Sequence, residues 1–178
     1  PLKHYADFIT LFTGAPSADG RLRENLVSAP DNRLLSLVNA RYLITDKVND
    51  AWLDGVFYDL QFALTLAQGE TASIAYVPRF QATALGIVGD SASGRVQLTF
   101  ADGSTTDLPI RSASVLRPAQ RSFVIPFDRP ATATSITLIG PLTVRGLSLI
   151  DGRSGAFQSL TLGPYRLVHS CDVKIYDN

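Results

Sequence analysis

The stretch Thr134-Ser-Ile-Thr-Leu-Ile-Gly-Pro-Leu-Thr-Val-Arg-Gly-Leu-Ser-Leu-Ile150 decides the fold. Apolar side chains alternate with small or polar ones on both sides of Gly140-Pro141, which is the spacing of two half-buried strands joined at a turn. The same period of two returns through most of the chain from about Tyr58 to Thr161. We therefore predict a mainly β domain built from many short antiparallel strands.

Turn signals interrupt this pattern often enough to keep the strands short. They recur at a spacing of roughly 8–12 residues, which is typical of a sandwich or a barrel. Leu60–Leu66 is predicted to be one long half-buried strand, and Ala101–Ser104 the tight turn of a hairpin. The favoured architecture is a two-sheet jelly-roll β-sandwich. The predicted turns are Gly89-Asp90, Asp102-Gly103, Asp128-Arg129-Pro130, Gly140-Pro141 and Asp151-Gly152.

The N-terminal part of the chain has a different character. Residues 2–13 carry apolar side chains at helical spacing, and a second helix begins near Asp31. Asn39–Asp46 and Asp172–Asn178 each alternate like a buried strand. We therefore predict three segments: a small α/β base over 1–54, the jelly-roll sandwich over 55–170, and a strand over 171–178 that rejoins the base.

Composition excludes several classes of protein. Sixteen basic residues balance sixteen acidic ones, so no overall charge would draw the chain to nucleic acid. Cys171 is the only cysteine, which excludes an intrachain disulfide, and we expect its side chain to be buried like a small apolar residue. No run approaches the ~18 apolar residues that span a bilayer. Because the chain starts at Pro1 and contains no methionine, we expect it to be part of a larger protein, although removal of an initiator methionine before proline would also explain the first position.

Catalytic and metal-binding motifs are missing from the sequence. His4 and His169 lie in different predicted elements, and neither has a second ligand at a metal-binding spacing. We expect the turn aspartates to stabilise their own turns through hydrogen bonds to the backbone. Glycosidase chemistry and a structural Ca²⁺ remain alternatives. The carboxyls concerned are Asp90, Asp102, Asp128 and Asp151.

Sugar recognition is the chemistry for which the sequence offers candidates. A sugar site needs flat exposed aromatic rings beside polar side chains that hydrogen-bond hydroxyl groups. Trp52 is the only tryptophan, and a wedge between the α/β base and the sandwich is the alternative role for its ring. The predicted ligand-binding residues are Trp52, Tyr76, Arg79, Phe80 and Asp90.

Two short segments carry a resemblance to a known family. Asn39-Ala-Arg-Tyr-Leu-Ile44 and Val173-Lys-Ile-Tyr-Asp-Asn178 resemble segments of YfhO-like bacterial multi-spanning membrane proteins, which are related to integral-membrane glycosyltransferases. Asp177 stands where that family usually has Glu. The resemblance implies that this chain is an extracytoplasmic domain and that the catalytic carboxylates of its parent lie elsewhere. The sandwich itself resembles galactose-binding-like and carbohydrate-binding jelly rolls.

These observations favour a non-catalytic domain on the extracytoplasmic face of the bacterial membrane. It would bind or position a glycan, or cap the membrane-embedded catalytic region of its parent chain, and it would need no cofactor. One alternative is a free-standing carbohydrate-active enzyme that uses turn aspartates. The other is a structural adhesion or assembly module.

Overall fold

The structure is a computed structural model that describes residues 4, 7, 10, 11, 32–47, 49–89, 94–110 and 122–177. It is mainly β, as the period of two predicted. The elements are α1 (Asn32–Leu37), β1 (Tyr42–Thr45), β2 (Asp50–Leu53), β3 (Val56–Asp59), β4 (Leu64–Leu66), β5 (Thr71–Ser73), β6 (Gln81–Gly89), β7 (Arg95–Phe100), β8 (Thr105–Pro109), β9 (Ser122–Ile139), β10 (Leu142–Asp151), β11 (Ala156–Leu160), β12 (Arg166–Ser170) and β13 (Lys174–Asp177).

The chain divides into two compact units. One comprises residues 1–43 and 177–178, and the other residues 44–176, whereas the sequence suggested a boundary after residue 54. That position lies in the tight turn between β2 and β3, where Asp54 and Gly55 both have positive φ (51° and 78°).

The smaller unit contains α1. The helix ends at Leu37, and Asn39 in the turn after it has a positive φ of 55°. This conformation lets the Ala40 N–H donate to the Leu35 carbonyl at 2.8 Å in a Schellman-type cap. Of the predicted helix over 2–13, the described residues His4, Asp7, Thr10 and Leu11 are all helical. Asp31 lies outside the described residues. Within the described part of the chain, no helix has the length and apolarity needed to cross a membrane.

The larger unit contains two sheets that share one long strand. The N-terminal half of β9 pairs with β6, and its C-terminal half pairs with β7 and β5. Sheet A therefore contains β6, β10, β11, β4 and the first half of β9, and sheet B contains β5, β7, β8 and the second half of β9. The strand pairings that build these two sheets are antiparallel. Strand β9 is the corner at which the chain passes from one sheet to the other.

One apolar core lies between these sheets. Leu85 and Leu147 come from sheet A, Leu98 and Ile136 come from sheet B, and all four side chains are fully buried in the same cluster. This arrangement is consistent with a β-sandwich, in which the inner faces of two sheets interdigitate.

The hairpin of β2 and β3 has its own small core. Ala51 and Tyr58 lie opposite each other and form a buried cluster with Val88 of sheet A. The Ser148 hydroxyl donates to the Phe57 carbonyl at 2.8 Å, which fixes the hairpin to β10. Gly86 and Gly146 leave room for Tyr58, because a Cβ at either position would meet that side chain.

Strands β1, β13 and β12 form a separate three-stranded sheet in that order. The prediction that the first of these is a buried strand is wrong, because Tyr42 and Ile44 are 50% and 63% exposed and only Leu43 is buried. In β13, Lys174 and Tyr176 are the buried residues.

Three predicted turns or strands can be compared directly with the structure. The Ala101–Ser104 turn is confirmed, with Gly103 at a positive φ of 82° between β7 and β8. The Asp128-Arg129-Pro130 turn is wrong, because β9 runs through these residues as the sheet corner. The long strand over Leu60–Leu66 is also wrong, since only Leu64–Leu66 pair, as β4.

Candidate functional site

Trp52 stands exposed on the β2–β3 hairpin. It is 65% exposed, although the Asp54-Gly55 turn places it directly opposite the buried Phe57. Its ring centroid lies 5.5 Å from that of Phe57 and 5.5 Å from that of Phe157 on β11, the second contact being edge-to-face. We call Trp52, Phe57 and Phe157 the aromatic platform.

The platform rests on a fixed base. Tyr58, the neighbour of Phe57, points to the other face of the hairpin and is 1% exposed against sheet A. Its burial, with a smaller contribution from the Asp54 charge, raises the pKa of the Tyr58 phenol to about 12. The phenol therefore stays protonated at every ordinary pH, and the hairpin keeps a neutral apolar underside.

Trp52 does not act as the wedge that the sequence left open. A wedged side chain would be largely buried, whereas Trp52 is 65% exposed. Its aromatic neighbours, Phe57 and Phe157, belong to the same compact unit as Trp52 itself. The exposed ring is therefore available to a ligand.

The other predicted sugar-binding residues are spread over different surroundings. Tyr76 is 47% exposed, and the Arg166 guanidinium lies 5.1 Å from its ring centroid in a cation–π arrangement. Arg79 is exposed, and Phe80 is half-buried against the main core, so Phe80 serves packing. Asp90 lies outside the described residues.

Tyr76 also borders a narrow cleft beside β11. The cleft is lined by Gln158, Ser159 and Arg166 among others, and its volume is about 20 Å³. That space is about enough for a single water molecule and far too small for a sugar ring. Any ligand of Tyr76 must therefore lie over the cleft.

A second concave site lies at the corner of β9. A groove of about 230 Å³ is lined there by Phe100, Phe127, Asp128 and Arg129 among others. The Phe100 and Phe127 rings pack edge-to-face at 5.4 Å, and Arg129 forms an ion pair with Asp102 across the β7–β8 turn. The sequence did not suggest this groove, because it arises from the continuity of β9 through a segment predicted as a turn.

Two of the turn aspartates, Asp102 and Asp151, have surroundings that favour the carboxylate. Hydrogen bonds from Ser104, together with the charge of Arg129, lower the pKa of Asp102. Hydrogen bonds from Arg153 and Ser154 lower the pKa of Asp151 to about 2. A general acid in glycoside hydrolysis needs a raised pKa, so these two carboxyls lack the property that role requires.

Titration of Asp151 provides a direct test of this turn. We expect its carboxyl to titrate in NMR with a midpoint of about 2, and the midpoint to rise toward 3.8 in Arg153→Ala. Because the folded pKa is the lower one, the Arg153 contact stabilises the turn above pH 3.8 and is lost as the pH falls toward 2. A wild-type midpoint equal to that of the variant would contradict the contact.

A buried polar cluster that the sequence did not reveal joins the hairpin to β13. Lys174 is fully buried, and its Nζ lies 2.8 Å from Asp59 Oδ1 and in ion-pair contact with Asp50 Oδ1. The Tyr176 hydroxyl donates to Asp59 Oδ2 at 2.8 Å, and the Gln61 N–H donates to Asp59 Oδ1 at 3.0 Å. Burial and the charge of Asp59 strongly raise the pKa of Tyr176. The only signal in the sequence is that Lys174 and Tyr176 share one face of an apolar strand.

The remaining candidates for chemistry are dispersed. Cys171 is exposed, which corrects the expectation that it is buried, because the chain bends between β12 and β13 at that point. His4 and His169 are also exposed. Over the residues that the structure describes, no three His, Cys, Asp or Glu side chains are grouped to hold a metal ion.

Comparison with known proteins gives no assignment. No protein-family model matches the chain, and neither does any curated protein sequence. Function is therefore inferred from the geometry of the aromatic platform and its surroundings.

Proposed function

We propose that this chain is a non-catalytic glycan-binding domain and that the aromatic platform is its binding surface. The observation that carries the proposal is the exposure of Trp52, at 65%, on a rigid base. Tryptophan is enriched at binding interfaces, because its ring contributes a large apolar area together with a polar N–H. The flat indole face matches the apolar C–H face of a sugar ring.

The surroundings of Trp52 support this role. Phe57 and Phe157 both contact the indole, each at a centroid distance of 5.5 Å. These contacts restrict the side chain of Trp52 before a ligand binds, which lowers the entropic cost of binding. Asp54, two residues further along, is exposed at the hairpin turn and can accept hydrogen bonds from hydroxyl groups. An apolar surface beside a few polar acceptors is the general composition of a small-ligand site.

The finer assignment extends the same proposal. The sandwich is a jelly roll of the galactose-binding-like kind, and the chain is the extracytoplasmic domain of a YfhO-like membrane protein. Support for the second statement comes from β1 and β13, which carry the two resembling segments and are neighbours in one sheet. The domain would position a glycan acceptor for the membrane-embedded part of the parent chain, or cap that part.

Binding can be followed through Trp52 itself, because it is the only tryptophan in the chain. We would titrate the protein with a panel of soluble neutral and acidic oligosaccharides and record tryptophan emission. Stacking of a sugar on the indole is expected to change the intensity or shift the maximum in a saturable manner. A panel without any saturable change would overturn the proposal.

Trp52→Ala is the matching prediction. We expect at least a tenfold loss of affinity for the oligosaccharide identified, about 1.4 kcal/mol, measured by calorimetry because the variant has no tryptophan. We expect the free energy of unfolding to change by less than ~1 kcal/mol, because most of the ring is already in water. Arg129→Ala, in the corner groove, is the control and should keep full affinity. Loss of binding in the control alone would place the site in the groove.

A further inference from the structure

The buried cluster on the hairpin has the components for covalent chemistry within the chain. Lys174 Nζ is fully buried, and its described neighbours are Asp59 Oδ1 at 2.8 Å, the Asn49 carbonyl at 3.4 Å and Asp50 Oδ1. An amine held against two carboxyl groups, one of which could become its acyl partner, is the arrangement that amide formation requires. Reacting groups positioned in this way gain the equivalent of a very high local concentration.

We propose that Lys174 and Asp59 condense spontaneously to an intramolecular isopeptide bond, with Asp50 as the group that moves the proton. Nζ of Lys174 attacks Cγ of Asp59, the Nζ–Cγ bond forms, and the Cγ–Oδ1 bond breaks. The ammonium supplies three protons: one stays on the amide nitrogen and two leave with Oδ1 as water. The positive and negative charges cancel, and no oxidant, reductant or cofactor enters the reaction.

The two aspartates are suited to different parts of this reaction. Asp59 has the hydrogen-bond donor that an acyl donor needs: the Tyr176 hydroxyl at 2.8 Å from Oδ2 would stabilise the negative charge that develops there and would then remain bonded to the amide oxygen. Asp50 Oδ1 is buried, accepts no hydrogen bond of regular geometry and contacts Nζ. It is therefore placed to take a proton from the amine and to return it to the departing oxygen.

The surroundings favour the amide over the ion pair. Two opposite charges in an interior lose their hydration, and that cost can exceed the attraction between them. Condensation removes both charges. The Phe62 ring lies 5.0 Å from the Tyr176 ring and stacks at 5.1 Å on Tyr165, so aromatic side chains screen this region from the water that hydrolysis would need.

The bond would have a mechanical consequence for the sandwich. Asp59 and Lys174 lie 115 positions apart in the sequence, and sheets A and B are built almost entirely from the residues between them. Tension applied to the chain outside these two residues would pass through the amide and would not unfold the sandwich.

The test is the intact mass of the full chain after denaturation. We expect wild-type protein to be lighter than its sequence by one water. Trypsin should then release residues 48–79 joined to residues 167–178, with no cleavage after Lys174. Wild-type protein that unfolds cooperatively but keeps the full sequence mass would overturn the proposal, and so would fragmentation that locates the bond on Asp50.

Two variants separate this bond from other losses of water. Lys174→Arg keeps the positive charge but cannot form the amide, and Asp50→Asn keeps the shape but cannot carry the proton. Both should have the full sequence mass while circular dichroism shows the β structure of the wild type. A loss of water that persists in Lys174→Arg would come from elsewhere, such as a succinimide at Asp54-Gly55, and would overturn the assignment.

Discussion

Lys174→Met should lower the free energy of unfolding by about 3–5 kcal/mol, the range for removing one partner of a buried ion pair. The side chain of Asp59 is 1% exposed, and that of Asp50 is 13% exposed. Without the lysine, Asp59 loses its ion pair in the interior, while Asp50 keeps a contact of 3.8 Å between its Oδ2 and Lys47 Nζ. The variant can form neither the ion pair nor the amide. It should therefore be less stable than the wild type whichever of the two the wild type contains.

Urea unfolding followed by circular dichroism measures this loss. We expect the midpoint to fall. The slope with denaturant should match that of a wild type that carries the ion pair, and should exceed that of a wild type that carries the amide, because a cross-link keeps the unfolded chain more compact. Arg95→Met is the matched control, because it breaks an exposed ion pair with Asp107. The side chain of Arg95 is 57% exposed and that of Asp107 is 41% exposed. Exposed pairs contribute about 0–1 kcal/mol, so the control should remain close to wild type. Equal losses in the two variants would contradict the burial of the cluster.

A double variant separates the charge from the packing. In Lys174→Met/Asp59→Leu the buried charge on Asp59 disappears with its partner, and apolar replacements for a buried pair are often neutral or stabilising. The Tyr176 hydroxyl and the Gln61 N–H then lose their acceptor, which costs about 1–3 kcal/mol for each group left unsatisfied. We therefore expect partial recovery relative to Lys174→Met, measured by the same urea unfolding.

The sequence predicted the sandwich well where alternation and turn chemistry agree. Ala101–Ser104 has both an Asp-Gly turn and alternating flanks, and it forms the hairpin between β7 and β8. Asp128-Arg129-Pro130 has turn residues as well, yet β9 continues through it. Local preference cannot distinguish a turn that ends a strand from a bend that carries the strand into a second sheet, because that choice depends on pairing with distant strands.

The candidate site was predictable only in part. Trp52 could be identified because it is the sole tryptophan, but its platform depends on Phe157, which is far away in sequence. The buried lysine was missed because lysine is among the residues least often buried. A charged residue inside an apolar strand, on the same face as Tyr176, was the available signal. It becomes interpretable only when the fold brings Asp59 and Asp50 to it.

Gly86→Ala is the second substitution with a large expected effect. It would disturb the packing of Tyr58 against sheet A, which holds in place the β2–β3 hairpin that carries Trp52. A Cβ on Gly86 would lie 2.2 Å from the Tyr58 hydroxyl oxygen and 3.0 Å from Ile150 Cδ1. Tyr58 is 1% exposed, so its ring has little free space into which it could move. Overpacking of this kind costs about 1–3 kcal/mol, against the 0.5–1 kcal/mol that alanine normally gains over glycine within a strand.

Removing the clashing atom should reverse the effect. In Gly86→Ala/Tyr58→Phe the hydroxyl is gone, and the nearest ring carbon would lie 3.1 Å from the new Cβ, a contact that a small shift relieves. We expect the double variant to be more stable in urea than Gly86→Ala, with a coupling of about 1 kcal/mol or more between the two sites. Gly152→Ala is the control, since its Cβ would meet only the Thr83 hydroxyl, at 3.3 Å.

The same pair of variants tests whether the hairpin and the aromatic platform move as one body. If the packing of Tyr58 against sheet A fixes the position of the hairpin, Gly86→Ala should also change the emission of Trp52. The reason is that the Trp52 ring contacts Phe57, the residue before Tyr58. Tyr58→Phe in the same background should restore the emission of the wild type. Loss of stability with unchanged emission would instead mean that the backbone of sheet A shifts at Gly86 while the aromatic platform does not move. Glycan affinity would then be independent of this contact.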